Sequence, residues 1–516
     1  MISYTFTTLL NKVVLGGVVI LALSICWVFF PPHHPRNIPS VPFWVTLLPL
    51  FFDVDQEETY RKYIQKPLQK HGAIKIFFGG QWNLLIQRSS YMNEIFKNEE
   101  IYQKSGNQKK IPHSVFAEFL GDNIISARDE NWRLYRNIIQ PGLQRTFETE
   151  PIVENAKKLC VLLKESQHGM GNRGVSVQEY LQCYTTANIS RTLLQTEVES
   201  LTTKDASLTK LQLALKKEIF KPIFMNFPML DRFGTFIPSR TRARELVKRF
   251  SEDLETRVLQ SHDGNHDPST SESVGARLIA ARSSGAITQK QFRDNLNVTF
   301  VAGQENPQLL LISTMYLLGK YPEVQVRLRD EIEACGAEEP SHPVLRELPY
   351  LTSVIYESLR LFPPISQLVN RWVAQPVMLG NELYIPKGTY VGYNCYSTNR
   401  DPKAWGMTAD DFRPERWGAT NKEISMRYRL ARARAEFISF HGGSRACLGE
   451  NFALLEMRIS LFVLLKHFSW TLDPEWLDRK TPFEGSAPYR LSRGRWEFRM
   501  VVFGEDLRII GTKLLV

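Results

Sequence analysis

The chain has 516 residues, with 64 lysines and arginines against 54 aspartates and glutamates, a net charge of +10. The basic residues are interleaved with acidic ones rather than massed in a tract, which argues against a nucleic-acid binder and fits a membrane surface or an acidic protein partner. Six cysteines, Cys26, Cys160, Cys183, Cys335, Cys395 and Cys447, lie far apart without a C-x-x-C pair, so a disulfide framework or a zinc site is disfavoured and a reducing compartment is expected.

Val13 to Phe30 is an uncharged apolar run of 18 residues, long enough for one membrane span. A cleaved signal peptide is the rival reading. The bulky end of the run, Trp27, Val28, Phe29 and Phe30, lacks a small-residue cleavage site and favours an uncleaved anchor. The prolines from Pro31 to Pro42 cannot continue a helix and read as a stiff hinge. No repeat or low-complexity array divides the rest. The expected organisation is an anchor over residues 1–30, a hinge over 31–42 and one large body over 43–516.

Val41 to Phe52 is apolar but too short to span, and is expected to lie against bilayer or body. Glu57 to His71 reads as helix, and Ala73 to Gln87 as two strands joined at Gly79 and Gly80. Trp132 and Arg136, four apart in N-W-R-L-Y-R-N, share a helix face. From Asn155 to about Arg257 the pattern is mostly helical, broken by Pro222, Pro228 and Pro238; the apolar residues there either cap a channel and touch membrane or pack in a core. Ser261 to Ser273 is polar and turn-rich, an exposed connection.

Thr288 and Gln291 open a capping box for a helix reaching Gly319, roughly 45 Å long. Its middle reads F-V-A-G-Q-E-N-P. Pro307 has no N–H for the Gly303 carbonyl, so a kink and a polar notch at Glu305 and Asn306 are expected. Glu357 and Arg360 form an i, i+3 pair in Y-E-S-L-R-L-F-P-P; on an open surface such a pair contributes only about 0.2–0.5 kcal/mol. Tyr384 to Tyr396 reads as strands about a turn at Lys387 and Gly388. Arg427, Arg429, Arg432 and Arg434 make a basic cluster, either a solvated face or a docking surface.

The cluster precedes Phe440 to Gly449, F-H-G-G-S-R-A-C-L-G, which delivers Cys447 to the start of a helical segment ending near His467. A helix N-terminus favours a thiolate. The alternative is a surface turn with an inert cysteine. However, Phe440, Gly443, Arg445, Cys447 and Gly449 complete F-x-x-G-x-R-x-C-x-G, and this loop resembles the haem-binding loop of the cytochrome P-450 superfamily.

The resemblance covers essentially the whole chain and implies a mainly α fold with small β-sheets. It also implies a haem b cofactor bound through Cys447 and electrons from NADPH by way of an acidic reductase docking on the basic cluster. It implies that Trp132, Arg136, Arg371 and Arg445 hold the haem propionates, and that Glu357, Arg360 and Arg416 (from F-R-P-E-R-W) form a buried structural triad. Arg371 stands one position later than in many members, so Ile365 to Asn370 is expected to bulge. Ala302, Gly303 and Glu305 resemble the oxygen-activation motif A-G-x-[DE]-T, with Asn306 in place of threonine, which alters the expected proton relay.

A-G-x-E-N together with P-P-I-x-Q-L-x-N-R is similar to the fungal spore-wall enzymes that oxidise N-formyltyrosine and join two phenol rings. The alternatives are a hydroxylase of fatty acids, sterols or xenobiotics, a peroxide-driven enzyme, and a haem-binding membrane protein without turnover. The expected location is the endoplasmic reticulum membrane, with the body in the cytosol.

Overall fold

The computed structural model describes residues 15–19, 29–52, 54, 56–170, 174–198, 200–201, 207–262, 272–472 and 497–502. Most of the expected membrane span lies outside the described residues, as does the polar connection from 263 to 271. Among the described residues no helix is long and apolar enough to cross a membrane.

The proline-rich segment is laid along the first strand. Lys75 Nζ donates to the Pro32 carbonyl at 2.8 Å, and the Val41 amide donates to the Lys75 carbonyl at 2.9 Å. Helix α1 (Phe43–Phe51) buries Phe43 and Val45 and leaves Trp44 and Phe51 exposed, with Phe52 just beyond. Residues 56–71 are helical, widening to a π turn over Tyr60–Gln65. Strands β1 (Ala73–Phe78) and β2 (Gln81–Ile86) pair antiparallel about Gly79 and Gly80, both at positive φ, as the sequence predicts.

Next come α2 (Ser89–Lys97), β3 (Tyr102–Lys104), α3 (Val115–Leu120) and α4 (Asp129–Gln144). A helical body follows, built from α5 (Glu150–Met170), the short β4 (Val175–Ser176), α6 (Gln178–Ile189), α7 (Ser207–Ile219), α8 (Pro238–His262) and α9 (Val274–Ser283). The proline-broken passage between α7 and α8 forms a short helix, Pro222–Asn226, and a 3-10 stretch, Pro228–Phe236.

Helix α10 (Gln289–Lys320) is the axis of the fold. It opens with the expected capping box: the Gln291 amide donates to Thr288 Oγ1, and the Thr288 amide donates to Gln291 Oε1 at 2.8 Å. Asp294 to Phe300 and Leu310 to Leu318 are buried without a break, so the helix presents no solvent face and belongs at the centre. It stays helical through Pro307, which is itself buried, so the helix is not broken where a kink was expected.

After α10 come α11 (Pro322–Ala334), α12 (Pro349–Leu361), β5 (Gln367–Val373), β6 (Val377–Leu379), β7 (Leu383–Ile385), β8 (Tyr390–Asn394) and α13 (Asn421–Ala433). The described chain closes with α14 (Glu450–His467), β9 (Phe468–Leu472) and β10 (Glu497–Val502). The strands form a five-stranded sheet in the order β1-β2-β8-β5-β3, a three-stranded sheet β4-β10-β9, and a pair β6-β7. The fold is mainly helical with small sheets. The larger sheet positions the site, because its register sets Lys104 beside Arg371. A register shift between Val369 and Arg371 is the bulge expected in this segment, and Arg371 is buried there.

Candidate active site

The cysteine loop is closed by its own backbone. The Cys447 amide donates to the Phe440 carbonyl at 2.9 Å, and the Ala446 amide donates to Gly443 at 3.2 Å. Phe440 is buried beneath the loop. Gly443 has φ +67°, and an added Cβ would stand 2.3 Å from the Phe96 carbonyl, so only glycine lets the loop lie on the end of α2. A Cβ at Gly449 would meet only the Cys447 sulfur, at 4.0 Å. Helix α14 then starts at Glu450.

The Cys447 side chain is open on one side and otherwise surrounded by protein. That surround pushes the thiol up to about 11, with Glu450 adding to the rise and the Gly449 amide and Arg432 opposing it. This corrects the expectation that the helix start lowers the pKa: desolvation outweighs one backbone N–H.

Beside the loop, basic side chains converge. Arg445 lies 3.9 Å from the centre of the Trp132 ring, donates to the Ala127 carbonyl at 3.0 Å and pairs with Glu99. Arg136, 5.3 Å from the same ring, donates to the Ser444 carbonyl at 3.0 Å. Arg371 donates to the Tyr102 carbonyl at 3.1 Å and stands 3.9 Å from Glu99, while its Nε is buried with no partner among the described residues. Burial, then Arg371 and Arg445, hold Lys104 well below the usual lysine range. Burial pushes Glu99 up, but Ser444, Arg445 and Arg371 more than offset it and hold its carboxyl below the usual range. Two arginines, Arg371 and Arg445, share the single Glu99 carboxylate, so positive charge exceeds negative there and a further anion would be favoured.

The expected triad is assembled behind the loop. Glu357 accepts from Arg360 at 2.8 and 2.9 Å, from Arg416 at 2.8 Å, from Trp417 Nε1 at 3.0 Å and from the Arg413 amide at 3.0 Å. Arg360 also donates to the carbonyls of Asn399, Ala409 and Asp411, which ties α12 to the irregular segment before α13. Burial pushes Glu357 up, yet the two arginines prevail and hold it below the usual carboxylate range.

On α10, Val301, Ala302, Gly303, Glu305 and Asn306 are only half-buried, between stretches that are fully enclosed. This window in a central helix marks an internal space. A Cβ at Gly303 would come within 2.1 Å of Ile189 Cδ1, so a side chain there would require the Ile189 side chain of α6 to shift. The Asn306 amide donates back to the Ala302 carbonyl at 3.1 Å, so the group standing for threonine is occupied with the helix backbone. Glu305 forms an ion pair with Lys216 of α7. Gln304 faces the other way, into a buried amide chain: Gln182 donates to Gln212, Gln212 to Gln304 at 2.6 Å, and Gln304 to Thr185 at 2.9 Å.

The structure thus gathers Trp132, Arg136, Arg371 and Arg445 at one edge and leaves Glu305 and Asn306 on the central helix. Sequence reading missed Glu99, Lys104 and Lys216, which belong to ordinary strands, helices and turns and acquire their role from partners distant in sequence. A separate open cleft of 600 Å³, lined by Glu118, Asp122, Arg232 and Arg244 among others, holds none of the expected residues.

Comparison with known proteins identifies relatives over most of the chain. The chain is 44% identical over 478 residues to Cytochrome P450-DIT2 of Saccharomyces cerevisiae, covering 92% of this chain and 96% of that protein. It is 39% identical over 482 residues to Cytochrome P450 monooxygenase xanG of Aspergillus fumigatus, covering 91% and 89%. It is 28% identical over 397 residues to 11-oxo-beta-amyrin 30-oxidase of Medicago truncatula, covering 73% and 72%. The family model described as Cytochrome P450 matches residues 39–487. The chain therefore belongs to the cytochrome P450 family, oxidoreductases that use haem, dioxygen and electrons from a reductase partner.

Proposed function

We propose that Cys447 is the axial ligand of haem b and that Trp132, Arg136, Arg371 and Arg445 hold its two propionates, with Phe440, Gly443 and Gly449 shaping the loop beside it. The residues fit that group: an open thiol, a loop that only glycine permits, and a cationic edge where Arg371 Nε has no partner among the described residues. When bound, the haem supplies dioxygen activation with electrons drawn from NADPH. The chain supplies the rest. Glu305 moves protons at its carboxylate, Gly303 leaves room for the Ile189 side chain of α6, and Asn306 steadies the helix backbone beside them. Glu357, Arg360 and Arg416 are structural.

The substrate is N-formyltyrosine, and the product is its coupled bisformyl dityrosine, used in a spore wall. Each phenol ring gives up one hydrogen, a bond forms between the rings, and dioxygen, reduced with these two hydrogens and two electrons from NADPH, leaves as two waters, so no oxygen enters the product. The observation that carries this reading is the 44% identity to Cytochrome P450-DIT2 over nearly the whole chain, together with A-G-x-E-N and P-P-I-x-Q-L-x-N-R. The second relative, a cytochrome P450 monooxygenase, favours one alternative, insertion of oxygen into a small molecule.

Residues 1–30 anchor the enzyme in the endoplasmic reticulum membrane, 31–42 connect, and 43–516 form the cytosolic catalytic body. Exposed Trp44, Phe51, Phe52, Met229, Phe233 and Phe236 support contact of that body with lipid. The exposed Arg427, Arg429 and Arg434 of α13 and the turn after it suit an acidic flavoprotein reductase, with attraction that weakens at high salt.

The test is the mass of the product formed from N-formyltyrosine with a flavoprotein reductase and NADPH, beside a medium-chain fatty acid as control. A phenolic dimer two hydrogens lighter than two monomers is expected. A product heavier by one oxygen, from either compound, overturns the coupling reading.

A further inference from the structure

Glu305 is the sole ionisable side chain among Val301 to Asn306, the window of α10 that faces the internal space. Its ammonium partner comes from another helix, α7: the Lys216 side chain is 8% exposed and that of Glu305 is 18% exposed. Lys216 is thereby a nearly buried cation held against the one carboxylate of that window, and Glu305 is a carboxylate that cannot serve a proton path freely while it is paired. The backbone around them is fixed independently. Gln212, one helical turn before Lys216, is bonded to Gln304, the neighbour of Glu305, so α7 and α10 stay in register when the ion pair opens.

We propose that Lys216 is the receptor for the substrate's carboxylate, and that an arriving carboxylate takes the Lys216 ammonium from Glu305. This rests on the reading of the substrate as an acylated amino acid. The exchange replaces one carboxylate–ammonium pair with another and leaves the Glu305 carboxylate without its ammonium, a cost that the open side of Glu305 reduces by admitting water or a proton. Its consequence is selectivity. A phenol that lacks the acid group does not open the pair, and Glu305 is released toward the reacting atoms only when the correct substrate is present. Asn306, whose amide is committed to Ala302, leaves Glu305 as the group that this release controls.

The test is equilibrium binding to the haem-loaded enzyme of N-formyltyrosine and of N-formyltyrosinamide, in which a neutral carboxamide replaces the carboxylate. The wild type is expected to bind the acid about tenfold more tightly. Lys216→Met should bind the two alike. Glu305→Gln, which is isosteric and removes the competing carboxylate, should bind the acid about threefold more tightly than wild type does, with the amide unchanged. That second variant decides the matter even where Lys216→Met fails to fold, since a purely structural ion pair predicts weaker binding of both compounds. Equal affinity of wild type for acid and amide, with the coupled dimer still formed, overturns the exchange and leaves the substrate reading standing. Failure of wild type to bind either compound overturns both.

Discussion

Glu357 and Glu305 are both carboxylates paired with basic side chains inside the same domain, and they are built in opposite ways. Glu357 is fully enclosed and accepts bonds from Arg360, Arg416, Trp417 and a backbone amide, so every lone-pair direction is engaged. Glu305 has one lysine and an open side. A planar arginine fork fixes a carboxylate in direction as well as charge, whereas a lysine offers a point charge on a flexible stem. The first arrangement holds a fold together, and the second permits exchange of partners.

The largest effect should come from breaking the locked site. Glu357→Ala strands Arg360 and Arg416 and is expected to cost about 3–5 kcal/mol, read as a lowered unfolding midpoint and loss of bound haem. The pH dependence has a definite sign. The folded pKa of Glu357 is depressed, so its contribution is fully present above its ordinary value and is lost as pH falls through the lowered folded value. Acid unfolding followed by circular dichroism should therefore be shallower in Glu357→Gln.

A third carboxylate sharpens the contrast. Glu456 on α14 is buried, and among the described residues only Asn188 donates to it, at 2.7 Å, and its second oxygen has no partner. Burial pushes its pKa up to about 8, only partly opposed by Asn188, so burial favours the neutral acid. With the folded value raised, its stabilising contribution is full below the ordinary carboxylate range and is lost as pH rises toward 8. Glu456→Gln should remove that loss and raise stability at pH 8 by about 1–2 kcal/mol, measured by urea unfolding at pH 6 and 8. The smallest stability effect is expected at the open site. Asn306→Thr should change the unfolding free energy by no more than about 0.5 kcal/mol, yet shift product from dimer toward oxygen insertion, read by mass spectrometry.

How legible these features are in the sequence depends on how local they are. The cysteine loop, the Glu357–Arg360 pair, the Thr288 cap and the β1–β2 turn each place their chemistry within a few positions. Backbone geometry then determines which atoms meet. The window on α10 is legible as A-G-x-E-N, but its orientation is not, because a central helix is enclosed on all faces and its periodicity is lost. The Lys216 partner of Glu305 carries no signal at all, since it is one lysine of an amphipathic helix.

The amino-acid sequence by itself determined the family, the mainly helical class and the residues expected to carry haem chemistry, because these reside in short patterns whose spacing is set by covalent geometry. The tertiary structure alone decided which charges are satisfied. It paired Arg445 with Glu99, 346 positions away, set Lys104 beside Arg371, and gave Glu305 its lysine. It also reversed the expected pKa of Cys447. The physical reason is that burial and Coulomb energy depend on distance in space and on the exclusion of water, and neither is a function of separation along the chain.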